Sequence, residues 1–333
     1  MSKKHIKHDE WKIIEEGYDP KRIKPSESIF SIGNGAMGQR ANFEETYTGQ
    51  TFQGSYIGGV YYPDRTKTGW WKNGYPEYFA KVINAPNWIG VDISINGSPL
   101  DLNTCQKIHH FSRILDMKKG LYSRIFDVEI IDGTRVKVCV NRFLSMTRNE
   151  IGSVEYNIEL VSENAQLYIA PYVDGNIKNQ DSNWEDSFWN HLSCEANGQS
   201  AYLISKTNKT EFSVCTYMSS EVSKNDVRYS QLANPFKERN KVGHVYNLKI
   251  NRGDVVKMVK FGGYTISLNH QFEQLQKKAH ENLVYANSIG LEKLLDNEYS
   301  VPKAKLVIQK NEQIEIKLLL EKEGLTGSYI TLV

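Results

Sequence analysis

Apolar and polar residues alternate along most of the segment from 90 to 268, and this alternation restricts the fold more than any other feature. In the run VKVCV the three valines would face one side of a strand, and the lysine and cysteine the other. The run SVEYNIEL repeats the pattern, and further runs extend it: LYIAPYV, AYLIS, FSVCTYM, HVYNLKI and VVKMVKFGGYTI. Asn96-Gly97 and Asp132-Gly133 each lie between two such runs and predict hairpin turns. We therefore predict a mainly β fold, a large antiparallel β-sandwich with two stacked sheets.

One stretch has helical periodicity instead. Between residues 271 and 297, apolar residues recur at spacings of three and four, as on one face of a helix, at Phe272, Leu275, Ala279, Leu283 and Ala286. Gly290 is expected to kink or divide this helix. The predicted organisation is a sandwich domain over 1–268, a helical linker over 269–297 and a divergent tail of unknown structure over 298–333. In the tail, KAKLVIQK and QIEIKLLLEK suggest a strand pair turned at Asn311-Glu312.

Composition excludes several classes of protein. The net charge is +2, and the basic residues are spread along the chain, so nucleic acid is not an expected partner. No apolar run is long enough to span a membrane, and the basic N-terminus has no apolar core of a secretory signal. The four cysteines lack metal-binding spacing, so we expect no metal. We also expect no cofactor. They are interpreted as reduced, mostly buried thiols in a cytoplasmic protein.

Three glycines follow a predicted strand over residues 28–32. Gly33, Gly35 and Gly38 match the G-x-G-x-x-G pattern of dinucleotide-binding proteins, which requires a helix directly afterwards. The following run, QRANFEETYTGQT, has no apolar residues at helical spacing. The glycines therefore indicate a structural turn between strands, at which the backbone needs positive φ or a close approach.

The same stretch, ESIFSIGNGAMGQRANFEE, resembles the start of the N-terminal domain of glycoside hydrolase family 65. The resemblance continues in order through GSYIGGVYYPD, GWWKNGYPEYFAKVINAPNW, ISINGSPLDL and LDMKKGLYSR. It is closest to the maltose phosphorylase branch. It implies a super-sandwich similar to galactose mutarotase, followed by a linker helix that leads in the family to a catalytic (α/α)6 barrel, absent from this chain.

The resemblance also implies the chemistry of full-length relatives, which is inverting phosphorolysis of an α-glucosidic disaccharide. A carboxylic acid protonates the glycosidic oxygen, and inorganic phosphate, as co-substrate, attacks the anomeric carbon from the opposite face. In the family these groups lie in the barrel, so no catalytic residue is carried over to this chain. We expect the chain alone to be inactive.

Two aromatic segments supply candidate residues for sugar binding or for a domain interface. Trp70, Trp71 and Tyr75 lie in an irregular segment with two prolines, and Trp184, Glu185 and Trp189 lie in an acidic loop. Aromatic rings can stack on a sugar such as glucose or an α-linked disaccharide, but they can equally close the end of a sandwich. If exposed, these rings would also favour self-association into a homo-oligomer.

Three functional hypotheses follow. The first is an accessory domain of a disaccharide phosphorylase, which supports the barrel and contributes to substrate access or dimerisation. The second is a freestanding carbohydrate-binding or structural β-sandwich. The third is a mutarotase-like enzyme, suggested only by fold analogy. His109 and His110 are adjacent, so in a strand they would point to opposite faces and would not form a paired site.

Overall fold

The computed structural model describes residues 5–67, 73–180, 182, 187–229 and 233–299, together with the backbone of 315–317 and 329–331. In chain order the strands are β1 (Ile6–His8), β2 (Lys12–Glu16), β3 (Ile32–Gly33), β4 (Met37–Gln39), β5 (Ser55–Ile57), β6 (Tyr61–Arg65), β7 (Tyr78–Val82), β8 (Val91–Ile95), β9 (Ser98–Pro99), β10 (Lys107–Asp116), β11 (Leu121–Glu129), β12 (Arg135–Leu144), β13 (Ile151–Leu160), β14 (Ala165–Asp174), β15 (Trp189–Ala196), β16 (Ser200–Thr207), β17 (Ser213–Lys224), β18 (Val227–Arg228), β19 (Asn234–Lys237), β20 (Lys241–Ile250), β21 (Val255–Ile266), β22 (Glu315–Lys317) and β23 (Tyr329–Thr331). Two α-helices, α1 (Ile23–Ile29) and α2 (Leu275–Tyr299), follow short 3-10 turns at Pro20–Arg22 and Phe272–Gln274.

Two antiparallel sheets form the sandwich, which confirms the predicted fold class. The larger sheet has the order β1-β2-β10-β11-β12-β13-β21-β17-β16-β15, with β18 beside β17, and the smaller has the order β19-β20-β14-β8-β9. The valines of VKVCV are buried, and they share one core with inward residues of the smaller sheet such as Ile93 and Leu167. The alternation of the sequence therefore marks the face that each strand buries.

The two predicted hairpins form, but with different turns. Asn96 and Gly97 both have positive φ, 53° and 83°, as a primed two-residue turn requires. At the second hairpin Gly133 has positive φ, 85°, while Asp132 does not, so this turn is not of the primed type. Ile130 instead accepts from Gly133 N–H at 2.8 Å and donates to Thr134 O at 2.9 Å.

The predicted strand over residues 28–32 is wrong. Helix α1 occupies Ile23–Ile29, and only Ile32 and Gly33 are extended. Pro25 lies in the first turn of this helix, where its missing N–H removes no intrahelical hydrogen bond. Ile23, Ser26 and Glu27 are buried on the inner side of α1. Tertiary burial therefore overrides the strand preference of the run SIFSI.

The aromatic segment also contains a strand that its irregular sequence does not predict. Tyr78–Val82 forms β7, which pairs with β6 from Tyr61↔Val82 to Arg65↔Tyr78. Strands β5 and β6 are separate, because Gly58 and Gly59 lie in the turn between them. A strand defined by a partner in the chain rather than by its own alternation is difficult to recognise from sequence.

Helix α2 packs on the outer face of the larger sheet. Leu275, Ala279, Leu283 and Ala286 are buried against Tyr217, Phe261 and their neighbours, as the spacing predicts. Phe272 lies in the preceding 3-10 turn and is half-exposed. Gly290 has φ 78° and ψ 169°, so it interrupts the helix as expected.

In the tail, Glu315–Lys317 pairs with Tyr329–Thr331. The predicted run KAKLVIQK and the turn at Asn311-Glu312 lie outside the described residues.

Candidate functional site

The three glycines lie in a β-hairpin. Gly33 is paired with Gly38, and Gly35 has φ 87° in the connecting turn. Asn34 accepts from the backbone N–H groups of Ala36 and Met37 and donates to the carbonyl oxygens of Ser145 and Asn149, at 2.7 and 2.9 Å. No helix follows within residues 40–54, all of which are described, so the hairpin lacks the helix N-terminus that would bind a phosphate.

Beneath this segment lies a cluster of six buried charged residues, here called the ion-pair cluster. Its members are at most 4% exposed: Glu15, Glu44, Glu45, Arg113, Arg124 and Arg142. Arg124 lies 2.7 Å from Glu44 and 2.5 Å from Glu45, and Arg142 lies 2.8 Å from Glu44. Arg113 lies 2.8 Å from Glu15. Three positive and three negative side chains therefore balance within the cluster.

Strand register brings the arginines together. Arg113 on β10 is the direct partner of Arg124 on β11, and Tyr122 is the partner of Arg142 on β12. The guanidinium of Arg124 lies 4.2 Å from the centre of the Phe43 ring, and that of Arg142 lies 4.9 Å from the Tyr122 ring. The sheet thus presents a positive, aromatic-lined surface onto which the segment NFEE places two carboxylates.

Burial and the neighbouring carboxylates shift the pKa of Arg124 in opposite directions. Burial alone lowers the pKa of Arg124, but the carboxylates of Glu45 and Glu44 outweigh it and raise that pKa well above its usual value. Burial raises the pKa of Tyr156, whose hydroxyl donates to Glu45 Oε2 at 3.2 Å. Arg124 therefore keeps its charge, and removal of a partner carboxylate would leave that buried charge unpaired.

A further buried carboxylate accepts hydrogen bonds from the loop between β4 and β5. Glu27 on α1 accepts from the hydroxyl of Thr51 and from the backbone N–H of Phe52, the latter at 2.7 Å. Gln39 Nε2 donates to Gly54 O at 3.0 Å, and its Oε1 accepts from the Ser55 hydroxyl. The inner side of the segment that follows α1 is consequently held by charged and amide groups rather than by apolar packing alone.

The opposite, solvent-facing side of this segment is apolar. We call it the β4–β7 face: a shallow cleft of about 430 Å³ lined by Gly35–Gly38, Tyr56–Tyr61, Ala80 and Val82. Tyr61 is 41% exposed and Val82 is 58% exposed. In the same hairpin the charged pair points inward, because Asp64 and Lys81 are buried with 3.5 Å between Oδ2 and Nζ. Exposed apolar side chains on the side opposite a buried ion pair are typical of a surface that contacts another protein unit.

Of the six sequence-predicted site residues, the structure describes Tyr75 and Trp189. Trp70, Trp71, Trp184 and Glu185 lie outside the described residues. Tyr75 is 63% exposed, whereas Trp189 is buried and donates its indole N–H to Asn84 O at 2.7 Å. The Trp189 ring therefore belongs to the core and is not open to an external sugar.

The two adjacent histidines, His109 and His110, do not follow the regular alternation of a strand. A β-bulge between Ile108 and His110 interrupts the alternation of β10, and both histidines are exposed. His109 Nε2 lies 2.6 Å from Glu129 Oε1. The structure therefore places these histidines on the surface.

The sequence reasoning missed the ion-pair cluster. A signal was present, because Tyr122, Arg124, Phe126 and Val128 follow one another at every second position of β11, which places Arg124 on the apolar face. An arginine in phase with apolar residues predicts a buried cation, and a buried cation requires a carboxylate partner.

Neither metal ligation nor a membrane span is evident in the described part of the chain. Its histidine, cysteine, aspartate and glutamate side chains form no group of three that could hold a metal ion. None of its helices combines the length and apolar character needed to cross a bilayer.

Residues 13–301 match the family model of the N-terminal domain of glycosyl hydrolase family 65. The chain belongs to this family. Its relatives include phosphorylases: it is 42% identical over 204 residues to maltose phosphorylase from Bacillus subtilis (strain 168), covering 61% of this chain. It is 26% identical over 305 residues to α,α-trehalose phosphorylase from Thermoanaerobacter brockii, covering 85% of this chain.

A solved structure has the same fold. A protein from the human microbiome, assigned as a kojibiose phosphorylase, superposes with a TM-score of 0.78 at 24% identity, over 91% of this family 65 chain and 40% of that protein. The matches span 27% of the length of the maltose phosphorylase and 38% of that of the trehalose phosphorylase. This family 65 domain therefore corresponds to the N-terminal region of much longer relatives.

Proposed function

We propose that this chain acts as the accessory N-terminal domain of a disaccharide phosphorylase that cleaves an α-glucosidic disaccharide with inorganic phosphate. The family membership and the names of its relatives support the reaction class. The resemblance to the maltose phosphorylase branch, and the 42% identity to a maltose phosphorylase, favour maltose as the disaccharide. On this proposal the catalytic acid and the phosphate-binding groups lie outside the sandwich.

The β4–β7 face is the observation that supports an accessory role. It is apolar and exposed on its outer side, while the ion-pair cluster and the Glu27 contacts hold its inner side. A rigid, preorganised surface loses less conformational entropy when it is covered. We propose that this face packs against the remainder of the phosphorylase, and that it drives homo-oligomerisation when left uncovered.

Two assays test this function. The purified chain, incubated with maltose and phosphate, is expected to release no glucose 1-phosphate. A chimera in which residues 1–299 replace the matching region of the Bacillus subtilis maltose phosphorylase is expected to regain phosphorolysis. Turnover by the chain alone, or a well-folded chimera without activity, would contradict the proposal.

A matched pair of variants identifies the contact surface. Val82→Asp places a charge on the β4–β7 face and is expected to reduce the activity of the chimera. Ile131→Asp is the control, because Ile131 is 55% exposed, close to the 58% of Val82, but lies in the hairpin turn after β11. In the chain alone, Val82→Asp should also shift size-exclusion elution towards the monomer. Equal effects of the two variants would refute the assignment of this face.

A cytoplasmic location also belongs to this proposal. Cys105, Cys139, Cys194 and Cys215 are all unbridged, and the last two are buried. Free thiols are typical of reducing compartments.

A further inference from the structure

Four asparagine–glycine pairs occur in the sequence, at residues 34–35, 73–74, 96–97 and 197–198. Such a pair can lose the side-chain amide of the asparagine spontaneously, because glycine has no Cβ that would shield its backbone nitrogen or restrict its conformation. Asparagine is for this reason among the thermolabile residues. The structure surrounds the four asparagine side chains in different ways, so it predicts different rates at the four pairs.

The reaction requires only the chain and water. The backbone nitrogen of the glycine loses its proton to hydroxide and attacks Cγ of the asparagine, so that an N–Cγ bond forms. The Cγ–Nδ2 bond then breaks, and Nδ2 takes up a proton from water and leaves as ammonia. Water hydrolyses the resulting succinimide at either carbonyl carbon and gives aspartate or isoaspartate. An amide is thereby replaced by a carboxylate without oxidation or reduction.

At Asn34 the side chain is held at both ends of its amide group. Oδ1 accepts from the backbone N–H groups of Ala36 and Met37, at 3.1 and 2.9 Å. Nδ2 donates to the carbonyl oxygens of Ser145 and Asn149, at 2.7 and 2.9 Å. Asn34 is also buried. Several hydrogen bonds would therefore have to break before Cγ could meet the following nitrogen.

At Asn197 and Asn96 the side chains are exposed but hydrogen-bonded. Asn197 Oδ1 accepts from the backbone N–H groups of Gln199 and Ser200, at 2.8 and 2.9 Å. Asn96 Oδ1 accepts from the backbone N–H of Gln166 at 2.9 Å. These contacts hold each amide group against a neighbour other than the following glycine, and they oppose the attack.

Asn73 differs from the other three asparagines. It lies in the segment between β6 and β7, and both Asn73 and Gly74 are exposed. Within the described part of the chain, its side-chain amide makes no hydrogen bond. Gly74 has φ 92°, and no described atom lies within 4 Å of the position that a Cβ would take there. The Asn73 amide can therefore meet the Gly74 nitrogen without the loss of a contact.

We propose that Asn73 is a site of spontaneous deamidation, selected among the four asparagine–glycine pairs because no hydrogen bond restrains its amide. The product carries a new carboxylate two residues before Tyr75, which is 63% exposed. It adds one negative charge to a chain whose formal net charge is +2. The inference is independent of the proposed function, since it concerns the chain in solution.

Peptide mapping by mass spectrometry tests the proposal on the whole folded chain. The chain is incubated for several days at mildly alkaline pH in water enriched in heavy oxygen, which labels each site that hydrolyses during the incubation. A hydrogen bond that must break before attack slows the reaction by about two- to tenfold. We therefore expect conversion to be fastest at Asn73, about two- to tenfold slower at Asn96, slower again at Asn197 and slowest at Asn34.

Two controls separate the effect of the fold from that of the sequence. In concentrated urea the four sites should convert at similar rates, because the hydrogen bonds of the fold are lost. Asn73→Gln should abolish the acidic form that ion-exchange chromatography detects first, because glutamine would have to close a larger ring. The matched variant Asn164→Gln should leave that form unchanged, since Asn164 is also exposed but precedes an alanine.

Three results would overturn the proposal: similar rates at the four sites of the folded chain, faster conversion at one of the other three asparagines, or an intact Asn73 amide after the incubation. Persistence of the early acidic form in Asn73→Gln would also contradict it. Circular dichroism before and after the incubation establishes that the chain remains folded.

Discussion

Glu44 is the member of the ion-pair cluster whose substitution tests the physical argument most directly. Its two carboxylate oxygens bind different arginines, Oε2 with Arg124 at 2.7 Å and Oε1 with Arg142 at 2.8 Å, and all three side chains are fully buried. In Glu44→Gln the volume is nearly preserved. The amide can still accept from one arginine, but its NH₂ group faces the N–H groups of the other.

The expected cost is large. Removing one partner of a buried ion pair typically destabilises a protein by about 3–5 kcal/mol, because the remaining charge is left in a poorly solvated site. Arg142 retains two weaker acceptors, the carbonyl oxygens of Asn42 at 3.2 Å and Arg40 at 3.1 Å, so we expect the lower part of this range. A loss of about 3 kcal/mol is a substantial share of the ~5–15 kcal/mol that usually stabilises a domain.

Urea unfolding followed by tryptophan fluorescence measures this effect. The control is Glu159→Gln, since Glu159 pairs with Lys137 at 3.5 Å on the surface and should contribute about 0–1 kcal/mol. The double variant Glu44→Gln with Arg142→Met should lose less stability than the sum of the two single variants, because it leaves fewer unpaired charges. A Glu44→Gln protein within about 1 kcal/mol of the parent would refute the reasoning.

Three other substitutions test the packing and the titration of the fold. Gly263→Ala should lower the unfolding free energy by about 3 kcal/mol or more, because the new Cβ would lie 2.0 Å from the backbone oxygen of Glu150; a near-normal melting temperature would contradict this. Trp189→Phe leaves the carbonyl of Asn84 without its indole donor, so urea unfolding should show a loss of about 1–3 kcal/mol, and an unchanged midpoint would argue against this contact. His244 has a folded pKa of about 4, below its ordinary 6.5, so the unfolded chain takes up its proton first and stability falls as the pH decreases through this window. Between about pH 7.5 and about pH 5 the parent should lose roughly 2 kcal/mol more than His244→Gln; parallel pH profiles would show that this histidine is not the cause.

Local patterns were sufficient for the strands that bury one regular face. The valines of β12 and the residues Val154–Leu160 of β13 alternate strictly, and each strand pairs with its sequence neighbour. Strand β7 was missed because its hydrogen-bond partner β6 defines it, and its exposed residues are apolar. The run SIFSI has the composition of a strand, but burial of one side of α1 decides the conformation of its first residues. Strand preference depends on the neighbours that a segment meets, and these are not local.

The sequence by itself determined the family, the sandwich class, the glycine hairpin and the helix that Gly290 interrupts, since each depends on a short-range pattern or an ordered set of motifs. Only the tertiary structure decided which charged residues are buried and which of them pair with each other. Glu45 meets Arg124 across 79 positions of the chain, and no local pattern specifies that pairing. Alternation separates the two faces of a strand, but it does not say what covers each face. What covers each face depends on segments that come together only when the chain has folded, and it decides both the ion-pair cluster and the outward apolar β4–β7 face.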